Sequence, residues 1–120
     1  MSGASFDELL REVRAFCDER DWAQFHNPKD LAVSISLESA ELLEHFLWQN
    51  GADVDRWAVE RRDAIRHEMA DVAICLLELA SVLEVDLPAA VREKLRINAC
   101  KYPVDRARGS SRKYDELGDG

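Results

Sequence analysis

Two pairs of carboxylates with equal spacing are the residues of this sequence best suited to chemistry. Glu38 and Glu41 form a Glu-x-x-Glu pair, and Glu68 and Asp71 form a Glu-x-x-Asp pair further along the chain. Side chains three residues apart are neighbours on a helix surface, so each pair offers oxygen ligands side by side. Oxygen-only sites favour hard divalent cations, which indicates Mg²⁺ or Mn²⁺.

Both pairs lie next to the apolar stripe of a predicted helix rather than opposite it. With a rotation of about 100° per residue, the apolar side chains of each helix fall about 20° to 80° from the first glutamate. Glu41 and Asp71 take the same place on their helices, about 60° to the other side. The two stripes consist of Leu31, Ile35, Leu42 and Phe46 beside Glu38, and of Ile65, Val72, Leu76 and Leu79 beside Glu68.

Four carboxylates that converge inside a helical bundle need a positive partner, because burial of an uncompensated charge costs several kcal/mol. Arg61 is the one basic residue whose angle falls near either stripe. We therefore favour a divalent metal over salt bridges between helices, and over helices rotated so that the acids face solvent. A di-iron bundle normally uses Glu-x-x-His pairs, and neither pair has a histidine at that position.

The elements that must position these carboxylates are helices, since apolar residues recur with a helical period almost throughout the chain. A capping box of Ser5 and Glu8 begins a first helix that runs to about residue 20. Asn27 and Pro28 begin a second helix, which the Asn50-Gly51 stop signal ends near residue 49. A third helix is predicted from residue 53 or 55 to about 84, and a fourth from about 88 to 103. These patterns predict an all-α, four-helix bundle that oligomerises.

After Pro103 the apolar period is lost and basic residues accumulate. We divide the chain into a helical domain, residues 1–103, and a basic C-terminal tail, residues 104–120. The tail is either a segment that binds an anionic ligand or a loose chain end.

Composition excludes several functional classes. The chain has 120 residues, enough for one domain, and 16 basic against 24 acidic residues give a net charge of −8. Such a field repels nucleic acid polymers. Cys17, Cys75 and Cys100 are odd in number and widely spaced, which favours reduced thiols in the cytoplasm. No secretory signal is evident, and the longest apolar run, residues 72–77, is far below the roughly 20 residues of a membrane span.

Several segments together resemble the MazG-like all-α nucleoside triphosphate pyrophosphohydrolases, and within them most closely the dCTP pyrophosphatase branch. The resemblance covers nearly the whole chain. The segments that carry it are DWAQFHNP (21–28), ESAELLEHFLW (38–48), EMADV (68–72), VDLPAAV (85–91), NACKYP (98–103) and RGSSRKY (108–114).

This resemblance implies hydrolysis of a nucleoside triphosphate between its α and β phosphates, with Mg²⁺ required. Glu38, Glu41, Glu68 and Asp71 would be the catalytic metal ligands. Which of these carboxylates accepts the proton of the attacking water stays open, and we favour Glu41. The implied assembly is a homotetramer, a dimer of dimers, and the implied role is nucleotide-pool sanitation. The implied substrate-binding residues are Trp22 and Trp48 for the base and Asn98, Lys101, Tyr102 and Lys113 for the triphosphate.

Two positions depart from the dCTP pyrophosphatase branch, where a histidine and a tyrosine correspond to Val13 and Cys75. The preferred base therefore stays open, with modified pyrimidine nucleotides as one option. His26, in the connector before the second helix, is interpreted as shaping that loop rather than binding metal. Alternative functions are those of a related all-α pyrophosphohydrolase, of dUTPase or phosphoribosyl-ATP type, and of a non-catalytic, metal-stabilised interaction module.

Overall fold

A computed structural model describes residues 3–117, and all regular structure in that range is helical. The all-α prediction is confirmed. The helices are α1 (Phe6–Glu19), α2 (Pro28–Glu44), α3 (Asp53–Glu60), α4 (Arg62–Val82), α5 (Leu87–Lys101) and α6 (Val104–Ala107), with short 3₁₀ turns at Ala23–Phe25 and Tyr114–Glu116.

Side-chain caps fix the starts of the first two long helices. Ser5 accepts the N–H of Glu8 at 3.2 Å while the Glu8 carboxylate accepts the N–H of Ser5 at 3.4 Å, so the predicted capping box is confirmed. Asn27 caps α2 by accepting the N–H of Asp30 at 2.9 Å. Each cap satisfies backbone donors that have no partner within the helix.

The predicted end of the second helix is wrong by five residues, because α2 ends at Glu44 rather than near residue 49. Past that point the backbone changes to tighter turns, in which Phe46 donates to the Leu43 carbonyl at 2.9 Å. Apolar residues continue to Trp48, so the sequence shows no stop signal before Asn50-Gly51. Gly51 itself has a φ of 58°, a conformation that costs glycine little.

The predicted third helix is two helices, α3 and α4, separated at Arg61. Arg61 leaves helical geometry with φ −104° and ψ 19°. Two contacts hold the segment at this break: the guanidinium of Arg61 stacks 4.3 Å from the centre of the Trp57 ring, and the Trp57 indole N–H donates to the His45 carbonyl. The second contact joins residues twelve positions apart, and the local sequence contains no proline or glycine that would predict the break.

The chain forms two compact units, Met1–Val85 and Asp86–Gly120. In the first unit α4 is the central helix, and α1, α2 and α3 all pack on it. Few side chains are buried in the described part of this unit, namely Cys17, Leu31, Ile65 and Ala80. Many large apolar side chains are instead exposed, including Leu37, Leu43 and Met69.

The second unit contains α5, α6 and the Tyr114–Glu116 turn. Asp86 caps α5 by accepting the N–H of Ala89 at 3.0 Å. The basic tail is not structureless, since it includes α6 and the 3₁₀ turn. The functional division at Pro103 stays a prediction. Among the described residues, no helix is long and apolar enough to cross a membrane.

Candidate metal and active site

Three of the four predicted carboxylates converge where α2 packs on α4. Glu38, Glu41 and Glu68 each bring one oxygen within 4.8 Å of the other two. The side chains of Glu38 and Glu68 are partly buried, whereas Glu41 is exposed. The cluster therefore has two carboxylates at the helix interface and one at its solvent edge.

The electrostatics of this cluster favour a bound cation. The pKa of Glu38 is raised, first by burial, then by a hydrogen bond with Glu41, and then by the charges of Glu41, Asp71 and Glu68. One oxygen of Glu38 and one of Glu68, both Oε2, are buried and have no hydrogen-bond partner among the described residues. Oxygens left without donors are suited to a hard divalent ion, so the residues present fit a metal.

Asp71 lies beside this cluster rather than within it. The group of converging oxygens does not include Asp71, which is exposed. Its charge nevertheless acts on Glu38 and contributes to the raised pKa of that carboxyl. The structure therefore brings three of the predicted ligands together. The fourth, Asp71, lies close enough for its charge to act on Glu38.

A cavity of about 400 Å³ opens beside the cluster and includes side chains that the sequence did not single out. Its volume is in the range of small-molecule sites. His45 Nε2 lies 3.8 Å from Glu68 Oε1, and Arg61 is the one lysine or arginine that lines the cavity. The helical wheel noted Arg61 near the stripe. The same wheel places His45 about 20° from Glu38 and four residues after Glu41, a signal that sequence reasoning did not use. The lining residues are Glu41, Glu44, His45, Trp57, Arg61 and Glu68.

The two tryptophans predicted to contact a base lie outside the lining of this cavity. Trp22 packs edge to face against Phe16, with ring centres 5.6 Å apart, and Arg20 lies 6.0 Å from its ring. Trp48 follows α2 and is 83% exposed. A large indole left in solvent to that extent is available to a ligand or to another chain.

The four residues predicted to bind the triphosphate all belong to the second unit, and two of them share a cluster. Lys101 Nζ lies 4.9 Å from the centre of the Tyr114 ring, and the Tyr102 ring lies 6.3 Å from the same ring, edge to face. Sequence reasoning missed Tyr114, although it stands within the matched RGSSRKY segment. Lys113 precedes the 3₁₀ turn, and the Asn98 carbonyl accepts the N–H of Tyr102 at 2.8 Å.

The two positions that depart from the dCTP pyrophosphatase branch lie in the first unit. Cys75 is partly buried on α4, and burial, followed by the charge of Glu78, raises its pKa. Val13 lines a separate cavity of about 70 Å³, together with Cys17, His26 and Glu78. All three cysteines of the chain are free.

Comparison with known proteins identifies the family. A model of the MazG-like family matches residues 33–117. The chain is 41% identical to human dCTP pyrophosphatase 1 over 97% of its own length and 69% of that protein's, and 39% identical to the rat protein over the same shares. A pyrophosphatase of Archaeoglobus fulgidus DSM 4304 superposes with a TM-score of 0.80 at 42% identity, covering 86% of this chain and 96% of the other. The chain thus belongs to the MazG-like family.

Proposed function

We propose that this protein is a nucleoside triphosphate pyrophosphohydrolase that converts a deoxynucleoside triphosphate to the monophosphate and pyrophosphate. The observation that carries the proposal is the convergence of Glu38, Glu41 and Glu68, with two buried oxygens left without donors, in a chain of the MazG-like family. The relatives named dCTP pyrophosphatase 1 support dCTP or a modified pyrimidine deoxynucleotide as substrate, and with it a role in nucleotide-pool sanitation.

The proposed cofactor is Mg²⁺, with Mn²⁺ as its closest substitute, because every ligand in the cluster is a carboxylate oxygen. Glu38, Glu41 and Glu68 would hold it, and Asp71 is proposed as a fourth catalytic ligand from its electrostatic effect on Glu38. A bound divalent ion neutralises phosphate charge and increases the electrophilicity of the α phosphorus.

The protein's own residues orient the reactants. Exposed Glu41, at the solvent edge of the cluster, would accept the proton of the attacking water. His45 would hold the Glu68 carboxylate from the side, given the 3.8 Å between their Nε2 and Oε1 atoms. Arg61, the one arginine or lysine on the cavity wall, would bind a phosphate oxygen. Catalysis would depend mainly on placement and charge stabilisation.

Trp22 and Trp48 are proposed to stack on the base, an interaction worth roughly 1–3 kcal/mol for each base. Asn98, Lys101, Tyr102 and Lys113 are proposed to bind the triphosphate within a homotetramer. Support comes from Lys101, Tyr102 and Lys113, which lie in one C-terminal segment of an otherwise acidic chain. We place the enzyme in the cytoplasm, acting on free nucleotides rather than on nucleic acid or membranes.

The test is a pyrophosphate-release assay over canonical and 5-modified dNTPs and NTPs, with Mg²⁺ and again with EDTA, and with the monophosphate identified by chromatography. We expect release that EDTA abolishes and that Glu68→Gln reduces by at least about 100-fold. Glu93→Gln is the matched control, since Glu93 is an exposed glutamate on α5. Absence of pyrophosphate release across the panel would contradict the proposal, and activity on phosphoribosyl-ATP alone would reassign the substrate.

A further inference from the structure

A second cluster of possible metal ligands lies in the first unit and shares no residue with the carboxylate site. Cys17 on α1, His26 in the connector before α2, and Glu78 on α4 each bring one ligand atom within 4.8 Å of the other two. Cys17 is 5% exposed, and the other two side chains are partly buried. Glu78 follows Glu68 by ten residues on the same helix, about 15 Å along its axis.

We propose that Cys17, His26 and Glu78 form a second metal site, which binds Zn²⁺ and is separate from the carboxylate site. Thiolate, imidazole and carboxylate are the three ligand types that zinc accepts in proteins, and three protein ligands with an open fourth position are a common arrangement. The mixed donor set disfavours Mg²⁺, which prefers oxygen ligands.

Space for a fourth ligand exists at this site. A cavity of about 70 Å³ is lined by all three residues, together with Val13 and Ser81. A water molecule occupies roughly 30 Å³ in the liquid, so the cavity can hold a water that completes a tetrahedral shell.

Charge also balances at this site. Without a metal, the Cys17 thiol donates a hydrogen bond to Glu78 Oε1 at 3.1 Å. Burial and the neighbouring Glu78 raise the pKa of Cys17 to about 11, so the thiol keeps its proton in the metal-free protein. Zinc would displace that proton and bind one thiolate, one carboxylate and a neutral imidazole, which leaves no net charge. Arg14 also lines the cavity, but it is solvent-exposed, which weakens its repulsion of a cation.

Zinc at this site would link three segments of the chain, namely α1, the connector before α2, and α4. His26 precedes the α2 cap residue Asn27 and follows the Ala23–Phe25 turn. Sequence reasoning interpreted His26 as shaping the connector rather than binding metal, and the proposal departs from that interpretation. A metal bond to His26 would attach the connector to α1 and α4. The site would therefore stabilise the fold and order the connector.

The test uses the full-length protein, stripped of metal with EDTA, exchanged into buffer with excess Mg²⁺, and titrated with Zn²⁺ and separately with Co²⁺. We expect one zinc ion per chain by calorimetry and a near-ultraviolet thiolate-to-cobalt charge-transfer band. Cys17→Ser should abolish the band, and His26→Ala or Glu78→Gln should weaken zinc binding by at least about tenfold. Circular dichroism of each metal-free variant checks its folding.

The double variant Cys75→Ser, Cys100→Ser is the matched control, because it leaves Cys17 as the one thiol of the chain. It should keep both the band and the zinc stoichiometry, even if Cys17→Ser fails to fold. Loss of the band in the double variant, its persistence in folded Cys17→Ser, or its loss in Glu38→Gln would each overturn the proposal. Turnover is not a readout, so failure of the proposed enzyme activity would not affect the result.

Discussion

Glu38 is a carboxylate whose charged form is disfavoured until a cation reaches it. Its raised pKa arises from burial and from three acidic neighbours, and its Oε2 atom has no donor among the described residues. The metal-free protein therefore retains like-charge repulsion and desolvation that the folded state must tolerate. Removal of that charge should relieve both costs.

We accordingly expect Glu38→Gln to stabilise the metal-free protein and to abolish the increase in melting temperature that we expect Mg²⁺ to give the wild type. Thermal melts in EDTA and in Mg²⁺ measure both effects, with Glu93→Gln as the control. A variant that melts below the wild type in EDTA would contradict this account of the cluster.

Arg61 is expected to act on the substrate rather than on the metal. Because it is the one arginine or lysine that lines the carboxylate cavity, Arg61→Gln should raise KM for the triphosphate about tenfold by removing a charge-assisted hydrogen bond. The metal concentration required for activity should change little.

Arg62→Gln is the matched control for this prediction. Arg62 is the adjacent residue and lines a different groove, with Ile65 and Met69. Steady-state kinetics of the two variants should differ in KM. Equal KM values in both variants would show that Arg61 does not contact the substrate. A thermal melt of each variant distinguishes a change in KM from a loss of stability caused by removing the stacking of Arg61 on Trp57.

At the scale of elements, the residues around the break between α3 and α4 form part of the wall of the carboxylate cavity. Trp57 on α3 donates its indole N–H to the carbonyl of His45, and the His45 side chain approaches Glu68. Trp57→Phe keeps a ring but removes this donor. We expect a loss of roughly 0.5–1.5 kcal/mol of folding free energy and weaker binding of Mg²⁺, measured by urea unfolding and by metal titration. Unchanged metal affinity would mean that the turn at His45 is held by other contacts.

Features that depend on local sequence could be predicted, and those that depend on tertiary contacts could not. The Ser5 capping box and the Asn27 cap predict the starts of α1 and α2, because each cap joins residues only three positions apart. The break at Arg61 could not be predicted, because the hydrogen bond that the Trp57 indole donates to the His45 carbonyl joins residues twelve positions apart.

The candidate site divides in the same way. The carboxylates could be identified from their equal spacing and from the apolar stripes beside them. In a helix, the spacing of two residues in sequence determines whether they share a face. His45 could have been found on the same wheel, since it lies about 20° from Glu38 and two turns further along the chain. Its 3.8 Å approach to Glu68 could not be predicted, because it depends on how α2 packs on α4. The cluster at Glu78 escaped notice because it joins residues from three segments with no shared motif.

For the whole molecule, the exposed apolar surface predicts self-association. Within residues 3–117, four side chains form the buried apolar core, while Leu37 and Met69 are 60% and 58% exposed. Such surface is costly in an isolated chain, and a second copy of the chain is the partner that a symmetric oligomer supplies. The specific number of subunits, four, stays a proposal.

We expect sedimentation velocity to show an oligomer, and Leu37→Glu or Met69→Glu to raise its dissociation constant by at least about tenfold. Lys29→Glu, an exposed substitution in the first turn of α2, serves as the control. A wild-type chain that sediments as a monomer at micromolar concentration would contradict the prediction.

The three indoles also differ in environment, and this difference should be visible in their fluorescence emission. Trp57 is partly buried against Arg61 and hydrogen-bonded, whereas Trp48 is almost fully in water and Trp22 is intermediate. Trp57 should therefore emit at the shortest wavelength, and it lines the same cavity as Glu68. Intrinsic fluorescence can thus follow occupancy of the carboxylate site without a label, and Trp57→Phe identifies the component of the spectrum that reports it.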